Sequence, residues 1–263
     1  MENLKYMADI HQHAFDLFIY VWIGLAVVIF LFMTLLKIPA PYGRYTRKGW
    51  GAFISNRAAW VLMEIPSLIL FMFFFLAGSL HHDAVTWFFF LLWIFHYTNR
   101  SLIYPFRTRT QKKKMPLSVM FMGMFFNLVN ASLNGYYLGY IRPEYPDGWW
   151  KTPQFIAGIL IWLAGVMINW WADGRLIRLR KDHKTDYAIP YGGLFRYVSC
   201  PNYLGEMMEW SGFALMAWNL PALAFVVWTF SNLLPRALNH HAWYRRKFPG
   251  YPQDRKAVIP FVL

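Results

Sequence analysis

The stretch LFIYVWIGLAVVIFLFMTLL, residues 17–36, is uncharged over its whole length. About twenty consecutive apolar residues are enough for an α-helix to cross the hydrocarbon core of a bilayer. The chain of 263 residues is 57% hydrophobic and only 15% charged, whereas an ordinary soluble domain carries about 25% charged residues. We therefore predict an all-α integral membrane protein, and we exclude a soluble α/β enzyme and a disordered chain.

The number of helices depends on a second stretch, WSGFALMAWNLPALAFVVWTFSNLLP at 210–235. Its Trp218-Asn-Leu-Pro221 segment is typical of either a kink or a tight turn between two helices. We interpret it as a turn, because the charge distribution requires two crossings here. The predicted spans are 17–36, 58–80, 84–104, 115–141, 153–172, 203–218 and 221–239.

The chain has 26 Lys and Arg against 13 Asp and Glu, and 23 of the 26 lie in four clusters, at 37–57, 100–114, 175–196 and 236–256. Short basic loops stay on the cytoplasmic side. All four clusters share that side only if the chain forms seven helices, with the N-terminus outside and the C-terminus in the cytoplasm. We expect one membrane domain over 1–263, in a bacterial inner membrane or, in a eukaryote, in the endoplasmic reticulum.

The basic excess could also indicate a nucleic-acid partner, but so apolar a chain leaves no exposed face for one. We therefore predict no nucleic-acid partner. We expect membrane lipid around the protein, and no obligate protein partner is evident. The single cysteine, Cys200, and the absence of a metal-ligand spacing predict no metal site.

Glu64 is an ionisable residue in the middle of the second predicted span, where a charge costs several kcal/mol and indicates function by default. It shares one helix stripe with Arg57 and Trp60. Glu64 is either a packing group bonded to a neighbouring helix, or a carboxyl facing a cavity. In the second case burial keeps it protonated, so that it can donate a hydrogen bond.

Polar residues at helical spacing also mark the basic ends of four other spans. Each stripe alone is common at a solvated helix end, but together they predict a cationic pocket able to hold a phosphorylated cofactor. The stripes are Tyr97, Arg100 and Tyr104; Asn169, Asp173 and Arg180; Asn202, Glu206 and Glu209; and Arg236, His240 and Tyr244.

Several ordered motifs, from about residue 39 to 263, resemble the steroid 5-alpha-reductase family and in particular its bacterial-type members. The tyrosine- and glycine-rich segment at 187–195 is the most specific of them. The motifs are Pro41-Tyr-Gly43, Arg57-Ala-Ala-Trp60, Glu64-Ile-Pro-Ser67, His96-Tyr97 with Arg100, Gly135-Tyr-Tyr-Leu138, Glu144-Tyr-Pro-Asp-Gly-Trp149, Tyr187-Ala-Ile-Pro-Tyr-Gly-Gly-Leu-Phe195, Asn202-Tyr-Leu-Gly-Glu206 and Arg236-Ala-Leu-Asn-His240.

The resemblance implies an NADPH-dependent reductase that acts on the Δ4 double bond of a 3-oxosteroid, a small hydrophobic enone. It implies that Glu64 and Tyr97 hold the C3 carbonyl as catalytic residues, and that Trp60, Met63 and Phe126 form apolar substrate walls. The cofactor-binding residues that it implies are Tyr42, Arg100, Arg109, Asn169, Asp173, Arg180, Tyr187, Asn202, Glu206, Arg236, His240 and Tyr244.

The chain departs from the mammalian members of that family at four positions. Met63 and Asn134 stand where those members have glutamine, and Met122 and Ala188 stand where they have arginine. These departures bear on substrate range and cofactor affinity. Three alternatives are weighed: an S-adenosylmethionine-dependent membrane methyltransferase, which carries a similar C-terminal motif, a non-catalytic lipid-binding or scaffolding protein, and a reductase of a polyprenal or enoyl lipid.

Overall fold

The computed structural model describes residues 2–36, 41, 43–108, 110, 113–142, 144–182 and 187–263. In this part of the chain, seven long helices and one short helical turn account for most of the fold. They are α1 (Glu2–Leu35), α2 (Asn56–Leu76), α3 (Ala84–Thr98), the short α4 (Tyr104–Arg107), α5 (Leu117–Tyr136), α6 (Pro153–Asp182), α7 (Pro201–Ala217) and α8 (Leu220–Lys247).

Four helical segments are long and apolar enough to cross a membrane. They are Ile10–Leu35, Asn56–Leu76, Leu117–Ile141 and Pro153–Arg180. Their length and composition fit a membrane protein, and the helical class predicted from the sequence is confirmed. The count of seven spans and the orientation of the termini stay predictions.

The turn predicted in the last apolar run is confirmed. Helix α7 ends at Ala217, where Trp218 adopts a left-handed conformation with φ 47° and ψ 48°. Asn219 then caps α8, because its side-chain oxygen accepts a hydrogen bond from the backbone N–H of Ala222 at 2.9 Å. A left-handed residue followed by an N-cap ends one helix and starts the next, so the two helices are separate.

Two short strands were not predicted. β1 (Phe53–Ser55) pairs antiparallel with β2 (Lys114–Pro116), and each strand leads directly into a helix, α2 and α5 respectively. The predicted span 115–141 therefore begins inside β2, two residues before the helix. A three-residue strand is too short to produce a recognisable alternating pattern.

Several other helix boundaries differ from the predicted spans: α1 begins at Glu2, α2 ends at Leu76 and α8 continues to Lys247, and two further differences bear on the site. Helix α6 continues to Asp182, ten residues past the predicted end at 172, because its last turns are polar and escape a hydropathy criterion. The third span does not continue as a regular α-helix. After Thr98 the chain makes a wider π-helical turn over Asn99–Ile103 before α4 begins. Such turns occur often at functional sites.

Helices α6 and α7 pack with their backbones in close contact at glycines. A Cβ on Gly165 would lie 2.6 Å from the carbonyl oxygen of Gly205, and one on Gly212 would lie 2.5 Å from that of Gly158. The two glycines on each helix are seven residues apart, so they occupy one face. Small residues allow such close approach between helices in membrane proteins.

The core between the helices is largely aromatic. Trp93 of α3 is completely buried and stacks on Phe71 of α2, with ring centroids 4.4 Å apart. It also contacts Trp210 of α7 and Phe225 of α8, at 5.4 and 5.5 Å. Helix α3 is therefore the central helix, and residues on it can face α2 and α7.

Helix α1 packs against α8 at the periphery. Trp22 lies 4.4 Å from Trp228 between ring centroids, and the indole N–H of Trp228 donates to the carbonyl oxygen of Trp22 at 3.1 Å. The opposite side of α1 exposes large apolar residues such as Phe18, Val21 and Val28. This side is the face that we expect to contact lipid.

The glycine contacts of α6 and α7 lead to a stability prediction. Gly165→Ala should lower the free energy of unfolding by roughly 1–3 kcal/mol, because the added methyl group overlaps the backbone of α7. Gly174→Ala in the same helix is the control. Nothing lies within 4 Å of its added Cβ, so it should be neutral or stabilise by about 0.5–1 kcal/mol. Thermal unfolding in detergent compares the two variants, and equal melting temperatures would contradict the packing argument.

Candidate active site

A cavity opens at the end of the helix bundle where the basic loops lie. Nine residues predicted to bind the cofactor line it, together with Trp60 of the predicted substrate wall. Five basic side chains, Arg44, Arg100, Lys113, Arg180 and Arg236, and two acidic ones, Asp173 and Glu206, contribute to its wall, so the lining is positively charged. The nine predicted residues are Arg100, Asp173, Arg180, Tyr187, Asn202, Glu206, Arg236, His240 and Tyr244.

Arg100 lies at the inner wall of this cavity. Its Nη2 is 3.5 Å from Oε1 of Glu206, and its guanidinium lies over the rings of Trp60 and Tyr104, at 4.9 and 5.2 Å from their centroids. The residues flanking it belong to α2, α4 and α7. Arg100 therefore connects three parts of the bundle around one positive charge.

Two asparagines organise the acidic side of the cavity. The side-chain Nδ2 of Asn202 donates to Oδ1 of Asp173 at 3.2 Å. Asn169 does not line the cavity, but its Nδ2 donates to the backbone oxygen of Asn202 at 2.9 Å. These contacts join α6 to the start of α7, so Asn169 supports the cavity wall from behind.

Glu64 and Tyr97 lie one helical turn deeper than the cavity, next to Trp60 and Arg100 respectively. Both are buried, with 8% and 3% of their surface exposed, and they interact electrostatically with each other. Asn127 of α5 donates from Nδ2 to Oε2 of Glu64 at 3.2 Å. A carboxyl and a phenol are thus near enough to interact in a region with little access to water.

The predicted apolar walls are divided between two regions. Phe126 of α5 packs against Trp22 and Trp228, with ring centroids 6.4 and 5.3 Å apart. Met63 precedes Glu64 on α2 and packs over Gly123 of α5. Trp60 and Met63 thus lie on α2 with Glu64, whereas Phe126 packs toward α1 and α8.

Sequence reasoning missed two basic residues of the cavity, Arg44 and Lys113. The guanidinium of Arg44 lies over the rings of Tyr187, Trp243 and Tyr244, at 4.2 to 5.0 Å from the ring centroids. Its Nη1 is buried and has no hydrogen-bond partner among the residues that the structure describes. Arg44 directly follows the Pro41-Tyr-Gly43 motif, and this position in the chain was the one indication that it could belong to the site.

Lys113 lines the cavity and also contacts Tyr187, one of the residues predicted to bind the cofactor. Its Nζ donates to the hydroxyl of Tyr187 at 3.0 Å. Burial alone would raise the pKa of the Tyr187 phenol, but the hydrogen bond and charge of Lys113, with the charges of Arg44 and Arg180, outweigh it. The pKa of Tyr187 is therefore lower than that of an ordinary tyrosine.

His240 is hydrogen bonded at both ring nitrogens. The hydroxyl of Tyr45 donates to the backbone oxygen of Asn239 at 2.8 Å, so it can only accept from Nδ1 of His240, at 3.3 Å. Nε2 lies 3.2 Å from the hydroxyl of Tyr203 and accepts from it when the ring is neutral. The contact with Tyr45 assigns a proton to Nδ1.

A buried pair formed by His96 and Glu209 was not predicted from the sequence. Nδ1 of His96 lies 2.7 Å from Oε1 of Glu209, and both side chains are buried between α3 and α7. His96 belongs to one of the motifs and Glu209 to one of the polar stripes, but nothing in their spacing indicated that they pair. Among the described residues, no three His, Cys, Asp or Glu side chains come together as a metal site would require.

Comparisons with known proteins agree with this geometry. The family model for 3-oxo-5-alpha-steroid 4-dehydrogenase matches residues 113–263. The chain is 42% identical to the steroid 5-alpha-reductase DET2 of Gossypium hirsutum over 237 residues, 88% of this chain and 91% of that protein. It is 39% identical to the 3-oxo-5-alpha-steroid 4-dehydrogenase 1 of Bos taurus over 252 residues, 94% of this chain and 96% of that protein.

The chain belongs to the steroid 5-alpha-reductase family. It is therefore an oxidoreductase that acts on a CH–CH group. This membership favours the reductase over the methyltransferase and over a non-catalytic scaffold. The relatives named here come from a plant and a mammal, so the bacterial-type subgroup stays a prediction.

Tyr42 and Arg109, predicted to bind the cofactor, are outside the residues that the structure describes. Of the four departures from mammalian members, Ala188 lines the cavity, whereas Met122 is 55% exposed on the outer side of α5. A side chain at 122 therefore faces away from Glu64.

The pKa of His240 leads to a prediction about pH. Burial, followed by the charges of Arg44, Arg236 and Arg180, lowers the pKa of His240 well below its ordinary value. The unfolded chain binds a proton at this histidine near pH 6.5, whereas the folded chain does not. Stability should therefore fall as the pH drops below about 6.5, because acid favours the unfolded state.

The measurement is thermal unfolding in detergent at pH values between 7 and 5. His240→Asn should have a shallower loss of melting temperature over this range than the unmodified protein. His13→Asn is the control, since His13 is an exposed residue of α1 far from the cavity. An identical pH dependence for His240→Asn and the unmodified protein would show that His240 titrates normally.

Proposed function

We propose that the protein reduces the Δ4 double bond of a 3-oxosteroid with NADPH, giving the 5-alpha-reduced steroid. The observation that carries this proposal is the position of buried Glu64 and Tyr97 one turn beneath a positively charged cavity. A substrate carbonyl between the two groups would lie next to a cofactor bound in the cavity. Family membership supports the reaction type.

Glu64 and Tyr97 stabilise the charge that develops during the reaction. When hydride adds to C5 of an enone, negative charge accumulates on the C3 oxygen. Two O–H donors in a site without water stabilise that oxygen. Glu64 donates only when it is protonated, which burial favours. A proton then reaches C4, and we propose that water supplies it.

The residues around the cavity fit a phosphorylated dinucleotide. Arg44 presents a buried nitrogen that has no hydrogen-bond partner in the described part of the chain, and such a group is expensive to leave unpaired. With Lys113 and Arg180 it provides three positive charges for phosphate groups, including the 2′-phosphate that distinguishes NADPH. When bound, NADPH would supply the hydride. The residues that would hold and orient the cofactor are Arg100, Asp173, Asn202 and His240.

We also propose the seven-span topology, with the N-terminus outside, the C-terminus in the cytoplasm, and lipid around the bundle. Support comes from the basic clusters, because residues from all four of them meet at one cavity. Arg44 follows α1, Lys113 follows α4, Arg180 ends α6, and Arg236 lies on α8. A bacterial inner membrane or the endoplasmic reticulum would each suit this arrangement.

The test is incubation of the purified protein in detergent with testosterone or progesterone and NADPH, followed by chromatographic identification of the 5-alpha-reduced steroid. A polyprenal and an enoyl lipid are assayed in parallel, since an apolar wall accepts long as well as flat ligands. Reduction of those two substrates alone would replace the steroid assignment. Failure with every enone, together with binding of S-adenosylmethionine, would refute the reductase.

Removal of either carbonyl donor should abolish most of the turnover. Glu64→Gln or Tyr97→Phe should lower kcat about 10²–10³-fold, the usual cost of one oxyanion donor. The affinity for NADPH, measured by isothermal titration calorimetry, should remain within about twofold because neither side chain lines the cavity. Near-normal kcat in either variant would exclude that residue from the carbonyl site.

Arg100→Ala should chiefly weaken cofactor binding. The loss of one charged contact typically costs about 1.5–3 kcal/mol, so the KM for NADPH should rise about 10-fold or more while kcat changes less. Arg178→Ala is the matched control, since Arg178 is exposed on α6 and does not line the cavity. An unchanged KM in the Arg100 variant would contradict a cofactor contact.

A further inference from the structure

Asn127 of α5 is a buried amide that contacts α2 at Glu64. It is 4% exposed, and its Nδ2 makes two contacts. It donates to the backbone oxygen of Met63 at 2.7 Å and to Oε2 of Glu64 at 3.2 Å. An amide nitrogen carries two hydrogens, so both of them are used on neighbouring residues of one helix.

The contact with Met63 determines which end of the amide faces Glu64. A backbone carbonyl oxygen only accepts hydrogen bonds, so the group of Asn127 beside it must be the NH₂. The same NH₂ group is then the one that faces Glu64. The orientation of this amide therefore follows from chemistry and does not depend on the similar shapes of oxygen and nitrogen.

The packing of α5 on α2 keeps this geometry rigid. Gly123, one turn before Asn127, lies directly under the side chain of Met63. A Cβ on Gly135, two turns after Asn127, would lie 2.9 Å from the backbone oxygen of Phe71. The two helices are thus in close contact on both sides of Asn127, and the amide has little room to move.

We propose that Asn127 is a positioning residue that fixes the proton of Glu64 on Oε1. Oε2 accepts from Asn127, so in the neutral acid Oε2 is the carbonyl oxygen and Oε1 carries the proton. The same side chain then presents one defined O–H to a substrate carbonyl. This inference rests on the proposed function, because it assigns Asn127 a part in holding the enone.

Without Asn127 the carboxyl of Glu64 would lose both its orientation and its partner. The proton could occupy either oxygen, and the side chain could rotate toward whichever acceptor is nearest. A buried polar atom without a partner is costly, so Glu64 would rearrange. The O–H would then meet the substrate carbonyl in only a fraction of the molecules.

The test uses Asn127→Leu and Asn127→Asp in the full-length protein in detergent. Leucine removes both donors at similar volume, and aspartate keeps the shape but removes the NH₂ group. In each variant kcat for progesterone reduction should fall about 10-fold or more, while the Kd for NADPH stays within about twofold. Thr229→Val is the control, because Thr229 of α8 is also buried and its hydroxyl donates to the backbone oxygen of Phe225 within its own helix at 2.8 Å; its kcat should stay within about threefold.

A spectroscopic measurement tests the hydrogen bond without turnover. The infrared carbonyl band of protonated Glu64, identified by its loss in Glu64→Gln, should move to higher frequency in Asn127→Leu, because Oε2 no longer accepts a hydrogen bond. If Asn127 only packed between the two helices and made no hydrogen bond to Glu64, the band would stay in place.

Three results would overturn the inference. They are the absence of a protonated band from Glu64, an unshifted band in Asn127→Leu, and an unchanged kcat in both Asn127 variants of an active enzyme. In each of these cases the proposed reduction of the enone stands, although the absence of a protonated band would also remove Glu64 as a donor to the carbonyl. If the unmodified protein reduces no enone, the proposed function fails, and the positioning role fails with it.

Discussion

The close backbone contact of α6 with α7 is the constraint on which the cavity depends. A Cβ on Gly205 would lie 2.5 Å from the backbone nitrogen of Asn169, so the two helices touch next to the site. At that distance Asn169 reaches the backbone of Asn202, and Asn202 reaches Asp173. A larger residue at 165 or 205 would separate these partners, so the glycines act on the site through packing.

Helix α3 and the π-helical turn that follows it make polar contacts with α7 on one side and with α2 on the other. On the side of α7, His96 pairs with Glu209 and Arg100 pairs with Glu206. On the side of α2, Tyr97 interacts with Glu64. Polar groups that are buried in an apolar bundle need partners, and here the partners come from different helices. The position of α3 between α2 and α7 therefore determines where its polar residues can function.

Helical spacing could predict the residues of the cavity that lie on long helices. Asp173, Asn202, Glu206 and His240 follow the expected stripes, and all of them reach one cavity. Arg44 was missed because it lies in a short turn, Gly43–Tyr45, where no periodicity predicts a direction. The ends of the helices were less predictable than their centres. The last turns of α6 are charged, and the two strands are only three residues long, so hydropathy marks neither.

Contacts between helices were beyond the reach of the sequence. The pattern places Asn127, Asn130 and Asn134 on one face of α5, but it cannot say which helix that face meets. His96 and Glu209 raise the same difficulty, because 113 residues separate them in the chain. Only the three-dimensional packing of α5 on α2 shows that an amide faces the carboxyl of Glu64.

The contact between α5 and α2 changes the interpretation of Met63, which stands where mammalian family members have glutamine. On sequence alone, its apolar side chain leaves Glu64 without an amide neighbour on its own helix. In the structure Met63 contributes its backbone oxygen, which orients an amide that comes from α5. A hydrogen bond to Glu64 is thus retained although the adjacent side chain is apolar. Because a carboxyl in this environment is costly without a partner, the amide of Asn127 helps Glu64 to persist inside the bundle.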